Sequence, residues 1–122
     1  MNSGKHEEAL VAIARAKQLN PLYSALYMYV EAMALFHLER YEEAANLLEV
    51  AVERNPAFDR MQLMYAASLA YLGEIERAQW SVEEAKNLLP QLSIAGEQEN
   101  SVLLVQSDLD RYLNGLRLAG LE

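Results

Sequence analysis

Three prolines place the strongest constraint on what this chain can fold into. Pro21, Pro56 and Pro90 stand 35 and 34 residues apart, and the same intervals separate Ala9, Ala44 and Ala78, then Ala16, Ala51 and Ala85. Gly4, Glu39 and Gly73 keep them too. Independent columns sharing a period near 34 residues indicate stacked helical hairpins, each too small to bury its apolar face alone. The repeated blocks read GKHEEALVAIARAKQLNP from Gly4, ERYEEAANLLEVAVERNP from Glu39 and GEIERAQWSVEEAKNLLP from Gly73. In each block an Ala is followed four residues later by Ile13, Leu48 or Val82, and three later by a second Ala. That spacing makes one helical stripe, and its small residues let a neighbouring helix approach closely. The proline falls just past the helix end, where its missing N–H and fixed φ stop propagation.

Upstream of the second and third blocks the pattern predicts another helix each time, Ser24 to Leu38 and Asp59 to Leu72. The map is then helices near 5–19, 24–38, 40–54, 59–72 and 74–88, an irregular connection, and a last helix near 108–119. Ser24 is a candidate N-cap, Asp59 with Gln62 reads as a capping box, and Ser107 with Asp110 as a cap pair. Gly120 suits the left-handed position that ends the last helix. Gly115 inside it costs about 1 kcal/mol relative to Ala, so the helix needs packing through Leu109, Tyr112, Leu113 and Leu116.

Composition removes several functions. Ten basic against 18 acidic residues give a formal charge of −8, and the basic residues are scattered singly. Neither nucleic acid nor an anionic membrane surface is an expected partner. At 52% hydrophobic the chain is far too apolar for disorder. Cysteine is absent, which removes disulfides, thiolate metal sites and a Cys nucleophile, and fits a cytoplasmic location. No apolar run approaches the roughly 20 residues that span a bilayer, and MNSGKHEEAL lacks the features of a signal peptide. His6 and His37, on different helices, read as two partly exposed histidines rather than metal ligands. Glu42, Glu43, Glu49, Glu53, Glu83 and Glu84 read as a solvated convex face. With no GxSxG, phosphate-loop or HExxH pattern, no enzyme activity, metal or cofactor is expected. Trp80 reads as packing or a surface anchor.

Aligned on their columns, the blocks resemble tetratricopeptide repeats. Met28 and Gln62 take the first large position, Ala32 and Ala66 the Gly position, Leu35 and Leu69 the Tyr position, and Leu48 and Val82 the later aromatic. The resemblance implies an all-α helical-hairpin solenoid of about two and a half repeats. Residues 4–90 form the array, with a half repeat at 4–21 and full repeats at 25–56 and 59–90. A connection at 91–106 and a C-terminal capping helix at 107–122 follow. Glu31 sits in a packing column where the next repeat has Tyr65, so this acid calls for a basic partner, a raised pKa or an exposed position. The ending SDLDRYLNGLRLAGLE is similar to the segment closing bacterial multidomain proteins in which a class III nucleotide cyclase domain precedes such repeats. Asp108, Leu109, Arg111, Tyr112, Gly115, Leu116, Arg117, Ala119, Gly120 and Leu121 carry that likeness. It implies the C-terminal regulatory or scaffold part of a larger bacterial signalling protein.

The candidate site lies on the first helix of each full repeat. Met28, Ala32 and Leu35 can pack against partner helices, which leaves Leu26, Tyr29, Met33 and Phe36 as a second apolar face with His37 beside it. The equivalent face in the next repeat is Arg60, Leu63, Ala67, Ala70 and Tyr71. The resemblance makes these the lining of a concave groove for a protein or peptide partner bearing an apolar or amphipathic segment. It also argues against acidic chaperone tails, because Tyr29, Met33 and Met64 stand where Lys, Asn and Arg clamps would be needed. Two alternatives stay open: the C-terminal segment fills the groove, or two copies pair. The half repeat leaves Leu10 and Ile13 without the helix that would cover them. They are therefore the candidate homodimer face, and the same gap is expected if the chain was cut from a longer protein.

Overall fold

Each helix forms where apolar residues recur at spacings of three and four, and most stop at a residue that leaves the right-handed region. The computed structural model describes residues 3–19, 25–100 and 105–122. Its helices are α1 (Ser3–Leu19), α2 (Ala25–His37), α3 (Tyr41–Arg54), α4 (Asp59–Tyr71), α5 (Ile75–Leu88), α6 (Ile94–Asn100) and α7 (Gln106–Leu118). Among the described residues there is no strand, and no helix is long and apolar enough to cross a membrane.

Three of these helices close in the same way. Glu39, Gly73 and Gly120 have φ of +62°, +82° and +97°. In each case the residue's own N–H bonds three residues back and the next N–H five residues back, as in Glu39 to Phe36 and Arg40 to Leu35. This is the Schellman closure, in which a left-handed residue lets two orphan carbonyls find donors. Gly73 and Glu39 occupy one column of the sequence repeat, so the same turn recurs there with and without glycine.

Helix starts depart from the sequence reading. Phe58, not Asp59, is the N-cap of α4, and no side chain caps it. Gln62 is buried instead of reaching back to the cap. Helix α7 starts after Val105 without a side-chain cap, and Asp110 accepts a hydrogen bond from the Gln106 amide at 2.7 Å. Ser24 and Pro21 lie outside the described residues. Helix α6 occupies part of the stretch expected to be an irregular connection. Ser93 caps it, its Oγ accepting the Gly96 N–H at 3.0 Å.

Successive helices pack as hairpins, α1 on α2 through to α4 on α5, while α2 also meets α4, and α4 meets α7. Helix α4 is the centre, with every residue from Met61 to Ala70 buried. The small-residue stripe takes its expected place: Ala44, Ala51, Ala78 and Ala85 are fully buried alongside Leu48 and Val82. Glu31 finds the basic partner its column demanded, with its carboxylate 2.8 Å from Lys17 Nζ on α1.

Candidate functional site

Helix α7 packs along α4, which also meets α2. Gly115 sets the distance of approach. A Cβ there would stand 2.9 Å from Ala67 Cβ and from Tyr71 Cε2, and 3.2 Å from the Ala67 Cα. Only glycine permits this closeness. Leu109, Tyr112, Leu113 and Leu116 of α7 are all buried. The Tyr71 hydroxyl donates to the Arg111 carbonyl at 2.6 Å and accepts from the Asn114 amide at 3.2 Å. These two bonds tie α4 to α7 directly.

Helix α6 fastens the other end. Glu97 is only 2% exposed and accepts hydrogen bonds from Arg60 and, at 3.0 Å, from the Tyr112 hydroxyl. Burial, together with the adjacent Glu97 carboxylate, pushes the Tyr112 phenol well above its usual pKa. The chain end joins in: the Ile94 N–H donates to the Glu122 carbonyl at 3.0 Å.

The residues assigned to the groove from sequence therefore meet different fates. Phe36, Leu63, Ala67, Ala70 and His37 are buried, and Tyr71 is clamped to α7. Arg60 is held by Glu97. Tyr29 and Met33 are partly buried against the core, Tyr29 with its ring 5.4 Å from Phe58. Leu26 alone of the set is well exposed, at 59%. On the α4 side, the face assigned to a groove is covered from within the same chain.

A polar cluster that sequence reading missed lies where α1, α2 and α7 meet. His6 and His37 stack with ring centroids 5.1 Å apart. Asp108 binds His6 Nε2 at 2.8 Å, stands 3.6 Å from His37 Nδ1 and accepts from Arg111 at 3.0 Å. His37 is thus buried, not partly exposed, and burial lowers its pKa to about 4 against the pull of Asp108. Its Nε2 has no hydrogen-bond partner among the described residues. Burial works to raise the Asp108 carboxyl, but the His6 hydrogen bond and the neighbouring His37 and Arg111 hold it below its ordinary value. His6 and Asp108 are 102 residues apart, a separation no local pattern spans. The described residues contain no group of three or more His, Asp or Glu placed to hold a metal ion.

At the N-terminal face the structure revises one expectation. Ile13 is buried and Leu10 packs partly against the core, because α2 lies across α1. The exposed large apolar side chains of α1 are Val11 and Leu19. Comparison with known family models and with curated proteins yields no match.

Proposed function

We propose that the chain is a tetratricopeptide-type protein–protein interaction module whose concave face receives an amphipathic helix. In the isolated chain that helix is its own α7, and in function a partner's apolar or amphipathic helix takes the same seat. The observation that carries this reading is the seam itself: Ala67 and Tyr71 on α4 accommodate a helix at glycine-contact distance. A groove that already packs one amphipathic helix has the shape and apolarity for another. The chain is a binding module without catalytic residues or cofactor, working in the cytoplasm as the C-terminal regulatory or scaffold part of a larger bacterial signalling protein.

A homo-oligomerisation domain is the second reading. Exchange of α7 between two copies would reproduce every contact of the closed chain, and Val11 and Leu19 add exposed apolar surface on α1. Swapping an identical element is a low-cost route to a dimer.

Both readings are tested by loosening α7. In Leu113→Asp with Leu116→Asp, two buried side chains become charged and α7 should leave the groove. A fluorescein-labelled peptide of residues 106–122 is then expected to bind the variant at least about tenfold tighter than the unaltered chain, which holds its own copy. Binding no tighter than to the parent, or loss of the whole fold by circular dichroism, would make α7 a permanent part of the core and end the proposal. A dimer of the unaltered chain in sedimentation velocity, dissociated by the same substitutions, would favour the second reading.

A further inference from the structure

The flank of α4 turned away from α7 carries a second feature. Between α3 and α5 runs a crevice of about 440 Å³ whose lining includes Gln62, Tyr65, Arg77, Trp80, Ser81 and Glu84. Two of its residues are buried polar groups that lack partners. Gln62 is 6% and Ser81 1% exposed, and neither Gln62 Oε1 nor Ser81 Oγ has a hydrogen-bond partner among the described residues. Leaving such acceptors unpaired is costly in a native fold. Met28, in the same repeat column as Gln62, is apolar, so packing at this position does not require an amide.

The rest of the lining defines what would satisfy those acceptors. Glu49, Glu53 and Glu84 face a single cation, Arg77, which is already engaged: it donates to the Tyr65 hydroxyl at 2.6 Å and lies 3.9 Å from Glu49. Glu53 and Glu84 form no ion pair among the described residues. Trp80 stands on the rim, 63% exposed. An exposed indole beside carboxylates and unpaired acceptors suits a planar cation rich in donors. A guanidinium stacks on an indole face and offers five N–H groups in a fixed fork. An ammonium gives charge but no such plane.

We propose that this crevice is an arginine-recognition site, taking a guanidinium side chain from a basic segment of a partner protein through Trp80, Gln62, Ser81 and Glu84. Charge complementarity favours such a segment, since the whole chain carries −8 and would steer it inward. The site lies apart from the helix-receiving groove, so its test is independent of α7.

Trp80 is the sole tryptophan, so intrinsic emission reports directly on the crevice. The full chain is titrated, at roughly physiological salt, with an acetylated, amidated hexapeptide alternating arginine and glycine. Counterparts carrying citrulline or lysine in place of arginine serve as controls. A saturating change in Trp80 emission is expected with the arginine peptide, at least about tenfold weaker with citrulline and several-fold weaker with lysine. Gln62→Met and Glu84→Gln should each weaken arginine binding about fivefold or more. If Gln62→Met alters folding by circular dichroism, Glu84→Gln on the rim carries the comparison alone. Equal binding of the citrulline or lysine peptide would overturn the guanidinium assignment. No saturation up to millimolar peptide, or unchanged binding in Glu84→Gln, would overturn the site.

Discussion

Replacing Gly115 by alanine reverses the sign that helix propensity alone would assign. In a free helix the change should stabilise by about 1 kcal/mol. Here the new methyl would meet Ala67 Cβ and Tyr71 Cε2 at 2.9 Å, and the Ala67 Cα, which cannot rotate away, at 3.2 Å. Helix α7 must therefore move outward by about half an ångström, loosening the 2.6 Å bond from Tyr71 to the Arg111 carbonyl. Overpacking of this kind costs about 1–3 kcal/mol, so the net loss should be up to about 2 kcal/mol once propensity is offset. Urea unfolding followed by circular dichroism measures it, with the m-value reporting whether α7 stays docked. Ala67→Gly removes one of the opposing methyls, so the double variant should recover at least about 0.5 kcal/mol relative to the sum of the single changes. A more stable Gly115→Ala variant, or strict additivity with Ala67→Gly, would refute close packing of α7 on α4.

Glu39→Gly should stabilise the chain by about 1 kcal/mol, because a side chain at φ +62° is strained where glycine is not; an unchanged or lower melting temperature would count against the turn. Glu97→Ala strips the acceptor from both Arg60 and the Tyr112 hydroxyl and should cost about 3 kcal/mol, read as a lowered urea midpoint. The His37 pKa falls from 6.5 unfolded to about 4 folded, so as pH drops the unfolded chain takes the proton first. Stability should be full above pH 6.5 and fall by about 3 kcal/mol on the way to pH 4, with His37→Leu flattening that slope. Asp108, held low in the folded chain, adds a further loss only below its unfolded value of 3.8. A urea midpoint independent of pH between 7 and 4.5 would mean that His37 is not buried neutral.

The array was legible because its information is periodic. The Ala stripes and prolines placed α1 to α5 within a few residues of their observed ends, and Gly120 marked the end of α7 correctly. What escaped was set by distant contacts. Gly115 looked like a weak helix former because its reason, Ala67 and Tyr71, lies more than 40 residues back. Gln62 looked like a cap residue because the spacing Asp59–Gln62 suits one, whereas tertiary packing drew it into the interior. Helix α6 has too few apolar residues for a period, and is held by Ser93, Glu97 and the chain end instead. His6, His37 and Asp108 are single residues on three helices, and only the fold brings them together.

The seam between α4 and α7 also has a consequence in time. During synthesis α4 is complete 47 residues before α7 ends, which at roughly 5–20 residues per second is about 2 to 10 seconds. Over that interval the hairpins can form while Ala67 and Tyr71 still lack α7 against them. The nascent hairpins thus carry an uncovered apolar seam until α7 arrives to close it.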